Sequence, residues 1–249
     1  MSAAPQGVTE ARLLDGRVVT FQPASGYRTA IDAVLLAAGV PAEPGQRVLE
    51  LGTGVGAAAF CLAARVEGVS VTALELQPTL ADLARRGVTA NGFEGRVTVV
   101  TGDLLAPPAD IGEEYDHVFF NPPYAPAGTS NVPPDPVKAA ATVEGAAKLA
   151  DWIGFAAARL REGGSATVVH RAERAAEITA LMVAAGFGGL EILELLPKPG
   201  RAAKRAILRG RRGERDAAVT RHAPLVLHAD NGAYTAAAEK LLRGGESLL

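Results

Sequence analysis

The sequence predicts an α/β fold with a mostly parallel sheet, and three observations support that prediction. From residue 47 onward, apolar segments with strand character alternate with segments whose apolar residues recur at helical spacing. The first of these strands runs directly into a glycine-rich turn, and a later one ends in Asn121-Pro122-Pro123-Tyr124. Such alternation is typical of a parallel sheet with helices on both faces. The predicted strands are 47–51, 70–76, 97–102, 117–120 and 164–169, and the predicted helices lie near 56–66, 78–90, 137–161 and 172–185.

Two further β segments follow the alternating region. Leu190 to Leu196 and Arg205 to Leu208 are joined by the basic connection Lys198-Pro199-Gly200-Arg201, which predicts an antiparallel closing hairpin. With these two segments the predicted sheet has seven strands. The last part of the chain holds one more apolar segment, Leu225-Val226-Leu227, and a predicted helix from about Tyr234 to Leu242.

The amino-terminal residues predict a covering element. Residues 11 to 21 contain two short strands around Asp15-Gly16, a pair favoured in tight hairpins because both residues adopt positive φ readily. A helix from about Thr29 to Gly39 follows. We expect a single domain over residues 1–249, with a hairpin and helix cover in 1–40, a catalytic core in 41–212 and a carboxyl-terminal extension in 213–249.

Composition and charge limit the environment of the protein. The chain of 249 residues is 48% hydrophobic, and no apolar stretch approaches the about 20 residues that span a bilayer. The amino terminus has no basic-then-apolar export signal, so we expect a cytoplasmic protein. A single cysteine, Cys61, excludes an internal disulfide, and the four histidines lack metal-ligand spacing, so we expect no metal site. The net charge of −2 gives no overall field for nucleic acid, although nine basic residues lie between Lys198 and Arg221 against two acidic ones.

The glycine-rich turn predicts a nucleotide-like cofactor. The strand Val48 to Leu51 leads into Gly52, Gly54 and Gly56, and glycine lets the backbone turn tightly and approach a ligand closely. The spacing alone leaves the type of cofactor open. Gly52, Gly54 and Ala57 also satisfy the G-x-G-x-x-A pattern of dinucleotide-binding folds.

Two acidic residues at the ends of the next strands favour a single nucleoside over a dinucleotide. Glu75 follows the glycine turn by about 20 residues, a position suited to accepting from both hydroxyls of a ribose. Asp103 ends the third strand, where a carboxylate can accept from the amino group of an adenine. A dinucleotide would extend over the far side of the sheet, and there the sequence has Asn121 to Tyr124 instead.

The Asn121-Pro122-Pro123-Tyr124 turn predicts a site for a planar exocyclic amine. The prolines fix φ and lack N–H groups, so the turn holds its oxygen acceptors rigidly at the carboxyl edge of the sheet. The Asn121 amide oxygen and the Pro122 carbonyl can each accept one amine hydrogen, while Tyr124 offers a flat face for stacking. Two such hydrogen bonds would localise the lone pair of the nitrogen and aim it at an activated carbon.

Together these residues resemble the class I S-adenosylmethionine-dependent methyltransferases, and most closely the bacterial family that methylates N6 of the adenine next to the anticodon in a valine tRNA. The resemblance covers nearly the whole chain and implies a Rossmann-like, seven-stranded, mostly parallel sheet with an antiparallel closing hairpin. One departure is Ala125, where members often have an aromatic residue, so base stacking is left to Tyr124 and the following loop, 125–136. The residues that carry the resemblance are Gln22-Pro23, Gly26-Tyr27-Arg28, Asp32, Glu50 to Gly56, Glu75, Asp103, Asn121 to Tyr124, Trp152 and Gly163-Gly164.

The resemblance also implies a cofactor, S-adenosylmethionine, and roles for particular residues. The catalytic residues would be Asn121, Pro122 and Tyr124. The cofactor-binding residues would be Tyr27, Arg28, Asp32, Glu50, Gly52, Gly54, Gly56, Glu75, Leu76, Asp103, Leu104 and Asn121. The partner would be tRNA, whose phosphates we expect to contact Lys198, Arg201, Lys204, Arg205, Arg209, Arg211 and Arg212.

Three other functions stay open at the level of the sequence. The same turn presents the side-chain amide of a glutamine in enzymes that methylate translation release factors. A nicotinamide-dependent oxidoreductase agrees with the glycine spacing, and a non-catalytic RNA-binding protein agrees with the fold. The sequence leaves the oligomeric state open as well.

Overall fold

A computed structural model of the protein describes residues 7–25, 29–124, 145–216 and 218–248. Two strands near the amino terminus form a separate hairpin, β1 (Val8–Leu13) and β2 (Val18–Pro23). The strands of the central sheet are β3 (Arg47–Leu51), β4 (Ser70–Glu75), β5 (Val97–Thr101), β6 (Tyr115–Phe120), β7 (Leu160–Arg171), β8 (Phe187–Leu196), β9 (Arg205–Arg212), β10 (Val219–Arg221) and β11 (Leu225–Val226).

The central sheet confirms the predicted α/β fold with a mostly parallel sheet and a closing hairpin. Its strand order is β10-β8-β9-β7-β6-β3-β4-β5, and β11 also pairs with β8. The strands β3 to β7 are parallel to their neighbours in this group, whereas β9 is antiparallel to both β7 and β8. Within the described residues the sheet has nine strands rather than the seven expected, because β10 and β11 pair with the outer edge of β8. They satisfy backbone groups that an edge strand would otherwise leave unpaired.

The strand order opens a crevice between β3 and β6. From β3 the chain continues to β4 and β5 on one side and then crosses to β6 on the other, and such a switch point is where open α/β sheets bind ligands. Leu51 is paired with Phe120 on one side and with Leu74 on the other. The residues that follow, Gly52, Asn121 and Glu75, therefore lie in one row at the carboxyl edge of three neighbouring strands.

The helices pack on both faces of the sheet. Their bounds are α1 (Ile31–Gly39), α2 (Ala57–Arg65), α3 (Pro78–Ala90), α4 (Leu149–Arg159), α5 (Ala175–Ala184) and α6 (Ala236–Glu239), the last continued by a π-helical turn at Lys240–Gly244. They agree in place with the predicted helices except for 137–161. None of the described helices combines the length and the apolar composition that crossing a membrane requires.

The prediction of one helix over 137–161 is wrong at residues 145–148 and 160–161, and residues 137–144 lie outside the described part of the chain. Residues 145–148 are not helical, and α4 begins after Lys148, whose backbone N–H donates to the Asp151 carboxylate over 2.7 Å. Such a contact caps the first turn and fixes the start of the helix. The helix ends at Arg159 because Leu160 is extended and already pairs with Tyr115 as the first residue of β7. Residues 125–144, with the predicted loop 125–136, lie outside the described part of the chain.

The amino-terminal hairpin is docked beside the glycine-rich turn. Its own turn has positive φ at Leu14, Asp15 and Gly16, as expected for the last two. The Asn91 side chain accepts from the Val19 N–H over 2.8 Å and donates to the Val19 carbonyl over 2.7 Å, so an amide at the end of α3 pairs with β2 as a strand would. Further along β2, Phe21 packs in one cluster with Val55 and two leucines of α3. The hairpin thus covers one side of the region where the glycine turn lies.

The carboxyl-terminal segment packs on α1. The Leu248 N–H donates to the Ala38 carbonyl over 2.8 Å, and Arg17 Nη2 of the hairpin donates to the Gly244 carbonyl over 2.7 Å. Ala238 and Leu241 are buried in the same core cluster as the apolar face of α1. The helix α1 is therefore held between the sheet and the end of the chain.

Two helical glycines give a matched test of the packing between α2 and α3. The Phe60 ring lies so close to Gly87 that a Cβ atom there would be 2.4 Å from Phe60 Cε2, whereas a Cβ atom at the exposed Gly154 would meet nothing within 4 Å among the described residues. We expect Gly87→Ala to lower the free energy of unfolding by about 1–3 kcal/mol because of overpacking. Gly154→Ala is expected to raise it by up to about 1 kcal/mol, since alanine favours helix. Urea unfolding measures both, and equal effects of the two changes would contradict the packing described here.

Candidate active site

A pocket opens at the carboxyl edge of β3, β4 and β6. It brings together six residues that the sequence assigned to cofactor or catalysis, namely Glu50, Gly52, Gly54, Glu75, Leu76 and Asn121. The other lining residues are Ala33, Leu36, Thr53, Ala57, Ala58, Gln77, Leu80, Pro123 and Trp152. Tyr27 and Arg28 lie outside the described residues, so their predicted roles stay predictions.

The three glycines of the turn have positive φ, but they serve two different purposes. Their φ values are 66° at Gly52, 60° at Gly54 and 88° at Gly56, a region that other residues enter only at a cost. A Cβ atom on Gly52 would be 2.7 Å from the Trp152 ring, so glycine keeps the pocket open there. A Cβ atom on Gly56 would collide instead with Phe60. Gly56 is not among the lining residues, and it serves to begin α2.

Glu50 is a buried carboxyl group beneath the turn. It is only 4% exposed, and its Oε2 accepts from Thr53 Oγ1 over 2.5 Å and from the Ala59 N–H over 3.1 Å. Burial raises the pKa of Glu50 to about 8, against these two hydrogen bonds, which lower it. Near neutral pH burial therefore favours the neutral form of this group.

Glu75 ties the glycine turn to the end of β4. Its Oε2 accepts from the Gly54 N–H over 2.7 Å, and its Oε1 accepts from the Gln77 N–H over 2.8 Å. Burial raises the pKa of Glu75 in spite of these bonds. Each carboxylate oxygen keeps a further lone pair that can accept from a ligand hydroxyl. The residue is thus both a structural bridge and a lining group of the pocket.

Asn121 contributes an acceptor that has no partner. Its Oδ1 atom is buried and accepts no hydrogen bond from any of the described residues, although the side chain lines the pocket. Leaving a buried acceptor unsatisfied costs about 1–3 kcal/mol. The next residue, Pro122, is buried and does not line the pocket, whereas Pro123 does. Asn121 therefore combines a side chain that borders the pocket with an amide oxygen that has no donor among the described residues.

Tyr124 belongs to a cluster beside the pocket that we call the Asp32 cluster, formed by Asp32, Tyr124 and Arg205. The Tyr124 hydroxyl donates to Asp32 Oδ2 over 2.9 Å, and Arg205 Nε donates to the same oxygen over 3.1 Å. The central carbon of the Arg205 guanidinium is 4.3 Å from the centroid of the Tyr124 ring. His170 packs against that ring at a centroid distance of 5.0 Å and an interplanar angle of 76°. Asp32 is not among the lining residues, in contrast to the cofactor role that the sequence assigned to it.

Asp103 and Leu104 lie at the end of β5 but do not line the pocket. Asp103 Oδ1 accepts from the Leu105 N–H over 2.9 Å and so stabilises a local turn. Leu104 packs partly buried against a core cluster. The Gly102 N–H donates to the Glu75 carbonyl over 2.9 Å, so Asp103 follows a residue that is tied to the cofactor side of the site.

The basic segment that follows β8 is divided between two edges of the sheet. Arg205 is paired with Arg171 at the carboxyl end of β7, whereas Arg211 is paired with Ser165 in the middle of that strand. At about 3.3 Å per residue, these positions are about 20 Å apart. Lys198, Arg201 and Lys204 belong to the β8–β9 turn, on the same edge as the pocket. Arg211 and Arg212 lie toward the opposite edge.

The expected phosphate contact at Arg209 is wrong. Arg209 is 8% exposed, and its Nε donates to Glu191 over 2.6 Å. Its Nη1 donates to the Gly39 carbonyl at the end of α1 over 3.5 Å, so the helix packed on this face of the sheet covers the side chain. The guanidinium is therefore engaged by Glu191 and by α1 and is not presented to a nucleic acid.

Several lining residues had not been assigned to the site from the sequence. Ala33, Leu36 and Leu80 are apolar residues of helices, and nothing in helical spacing separates a pocket wall from ordinary core. Thr53 lies between two assigned glycines, and its bond to Glu50 gives it a role that the glycine pattern did not indicate. Trp152 was noted only as part of a resemblance. The described residues contain no group of histidine, cysteine, aspartate and glutamate side chains arranged to hold a metal ion.

Curated proteins similar to the chain include tRNA methyltransferases. It is 27% identical to the tRNA1(Val) (adenine(37)-N6)-methyltransferase of Shewanella amazonensis over 88% of this chain and 91% of that protein. The corresponding enzyme of Aeromonas salmonicida is 29% identical over 84% of this chain and 85% of its own length. A release factor glutamine methyltransferase of Chlorobaculum tepidum is 37% identical, but only over 37% of this chain and 32% of that protein.

Solved structures and a family model agree on the class of enzyme. A predicted O-methyltransferase of Agrobacterium tumefaciens is 31% identical, with a TM-score of 0.72 over 88% of this chain and 98% of that chain. An S-adenosylmethionine-dependent O-methyltransferase of Thermotoga maritima shares the fold at 20% identity, with a TM-score of 0.56 over 77% of this chain and 68% of that chain. The model of the methyltransferase small domain matches residues 27–194, more than half of the sequence. The chain therefore belongs to the methyltransferase small domain family, and its cofactor is S-adenosylmethionine.

Proposed function

We propose that the protein transfers a methyl group to the exocyclic amine of a nucleobase, with N6 of an adenine in tRNA as the acceptor. The observation that carries the proposal is the unpaired, buried amide oxygen of Asn121 in the same pocket as Glu50 and Glu75. Relatives named as tRNA adenine-N6 methyltransferases, which match 84–88% of this chain, support the choice of acceptor.

The residues of the pocket fit S-adenosylmethionine, which when bound supplies a methyl group on a positively charged sulfur. The turn at Gly52 and Gly54 has no side chains to obstruct a nucleoside, and Glu75 has lone pairs for the ribose hydroxyls. Leu76 is 58% exposed at the pocket and offers an apolar surface to a base. Burial raises the pKa of Glu50 to about 8, and a cation bound nearby would lower that pKa and favour the charged carboxylate. Asp103 is proposed to accept from the adenine amine of the cofactor, beyond the lining residues.

Asn121 is proposed to orient the acceptor nitrogen. An adenine amine is a poor nucleophile because its lone pair is delocalised into the ring. Hydrogen bonds from its two hydrogens to Asn121 Oδ1 and to the Pro122 carbonyl would draw the nitrogen toward a pyramidal geometry. The remaining requirement is alignment with the methyl carbon, which a rigid turn at the edge of the sheet provides. A base inside folded RNA must first leave its stack, at a cost of a few kcal/mol that stacking on Tyr124 offsets in part.

The main competing acceptor is the side-chain amide of a glutamine in a release factor. The relative named as a release factor glutamine methyltransferase favours it, although the match covers only 37% of this chain. The Asn121 oxygen would accept from either amine. Membership of a methyltransferase family speaks against the nicotinamide-dependent oxidoreductase, and an unsatisfied catalytic acceptor speaks against a non-catalytic RNA-binding protein.

The tRNA would be held along the β8–β9 turn. Lys198, Arg201 and Lys204 lie at the same edge of the sheet as Asn121, and Arg201 and Lys204 are exposed. Cationic side chains in such a place fix the position of an RNA without reading its sequence. Arg211 and Arg212 lie too far along β9 to share that surface.

Replacing Asn121 should lower the methyltransferase activity without lowering the free energy of unfolding. We expect Asn121→Ala to lower kcat for methyl transfer by about 100-fold, on the scale seen when one hydrogen-bonding group of a reacting centre is removed. The change removes an unsatisfied buried oxygen, so the free energy of unfolding should hold or rise by about 1 kcal/mol. Asn121→Asp keeps an oxygen acceptor and should retain more activity than Asn121→Ala. Labelled S-adenosylmethionine and urea unfolding measure the two effects, and near-normal turnover in Asn121→Ala would remove the proposed role.

The methyl acceptor can be identified by incubating the purified protein with each of the two candidate acceptors, tRNA and release factor. With labelled S-adenosylmethionine, we expect incorporation into total tRNA from a strain lacking this protein and none into purified release factor. Mass spectrometry of nucleosides from that strain should show the loss of N6-methyladenosine, which returns on complementation. Incorporation of the labelled methyl group into release factor alone would contradict the tRNA proposal and identify a glutamine amide as the acceptor.

Salt dependence tests the phosphate contacts, with a control on the same hairpin. We expect Arg201→Ala combined with Lys204→Ala to weaken the salt dependence of tRNA binding. The slope of the logarithm of the tRNA association constant against the logarithm of the salt concentration should fall in magnitude by about one to two units, one for each lost phosphate contact. Arg211→Ala combined with Arg212→Ala removes the same charge at the far edge and should leave the slope unchanged. Equal slopes in the two double variants would exclude the β8–β9 turn as the RNA contact.

A further inference from the structure

The Asp32 cluster joins three parts of the chain beside the Asn121 turn. Asp32 comes from α1, Tyr124 from the turn after β6, and Arg205 from the start of β9. The side chains of Asp32 and Arg205 are 15% and 30% exposed, so their ion pair is largely shielded from water. A shielded, hydrogen-bonded charge pair is stronger than one on the open surface.

The contacts of this cluster constrain every part of the Tyr124 side chain. The hydroxyl is held by Asp32 Oδ2, one ring face is covered by the Arg205 guanidinium, and the ring packs against His170. Burial raises the pKa of the Tyr124 hydroxyl, which therefore remains a donor to Asp32 at any working pH. A tyrosine side chain rotates about only two bonds, so these contacts leave it one orientation.

The Asp32 carboxylate bonds to Tyr124 and Arg205 and does not line the cofactor pocket. Ala33 and Leu36 of the same helix line the cofactor pocket, but Asp32 does not. Its Oδ2 already accepts from two donors, Tyr124 and Arg205. Arg205 in turn is engaged by the ring and the carboxylate, which sets it apart from the exposed cations of the β8–β9 turn.

We propose that Asp32 and Arg205 are positioning residues that hold Tyr124 in the orientation in which it stacks against the acceptor. Because the guanidinium covers one face of the ring, that face is closed to the acceptor. This inference rests on the proposed function, since it assumes that Tyr124 contacts the acceptor. It assigns Asp32 to the acceptor side and away from the cofactor, and Arg205 to Tyr124 and away from phosphate.

The test separates acceptor positioning from cofactor binding. We expect Asp32→Ala and Tyr124→Phe each to lower kcat/KM for the acceptor by about 10- to 100-fold, the worth of one hydrogen bond to a charged group. The dissociation constant of S-adenosylmethionine, measured by calorimetry, should stay unchanged in both. Asp32→Asn keeps a carbonyl acceptor for the tyrosine hydroxyl and should recover part of the loss. Asp82→Asn, which removes a carboxylate from an exposed ion pair with Arg85, is the control and should behave as the unchanged protein.

A double-mutant cycle decides whether the two residues act together. If Asp32 works through Tyr124, the variant with both Asp32→Ala and Tyr124→Phe should be no slower than the slower single variant. Losses that multiply would overturn the proposal. A fall in S-adenosylmethionine affinity that parallels the loss of activity in Asp32→Ala would also overturn the proposal. Asp32 would then have a role in cofactor binding.

The same cycle in urea unfolding needs no acceptor. A coupling free energy clearly different from zero between Asp32 and Tyr124 is expected, and its absence would overturn the proposal whatever the substrate. If the unchanged protein methylates neither tRNA nor release factor, the proposed function fails on its own. The unfolding cycle then still decides whether Asp32 holds Tyr124.

Discussion

The site depends on the register of three parallel strands. Leu51 is aligned with Leu74 and with Phe120, so each of β3, β4 and β6 delivers its next residue to the same row. That row consists of Gly52, Glu75 and Asn121. The Glu75 carboxylate stabilises it by accepting hydrogen bonds from the Gly54 and Gln77 N–H groups. A slip of one residue in any of these strands would turn its terminal side chain to the other face of the sheet. The apolar packing of the strand interiors is therefore what sets the chemistry at their ends.

Two buried carboxyl groups beside the glycine turn suit the pocket to a ligand that carries hydrogen-bond donors and positive charge. Glu50 and Glu75 both have raised pKa values because burial disfavours their charged forms, and Asn121 adds an unsatisfied oxygen. Burial of these groups lowers the intrinsic stability of the site, which is a common cost of function in stable folds.

The strand ends were predictable from the sequence because each is a local pattern, an apolar run followed by Gly52, Glu75 or Asn121. The parts that could not be predicted depend on contacts between distant segments. The Asp32 cluster joins α1, β6 and β9, and no local pattern relates those residues. Arg209 belongs to a basic segment in the sequence, but Glu191 and the end of α1 enclose its side chain, and no local pattern indicates those contacts. The helix predicted over 137–161 follows an alanine-rich pattern. The structure limits the helix at two points, because capping at Lys148 fixes its start and pairing of Leu160 in β7 fixes its end.

The contact between the end of the chain and α1 affects the order in which the protein is completed. The N–H group bonded to the Ala38 carbonyl of α1 belongs to Leu248, more than two hundred residues further along the sequence. Contacts of such long sequence separation close late in folding, since the loop between them must first be ordered. A folding intermediate that already aligns Gly52, Glu75 and Asn121 would still lack the last support of the wall that carries Ala33 and Leu36. The final shape of the pocket is then set late in folding.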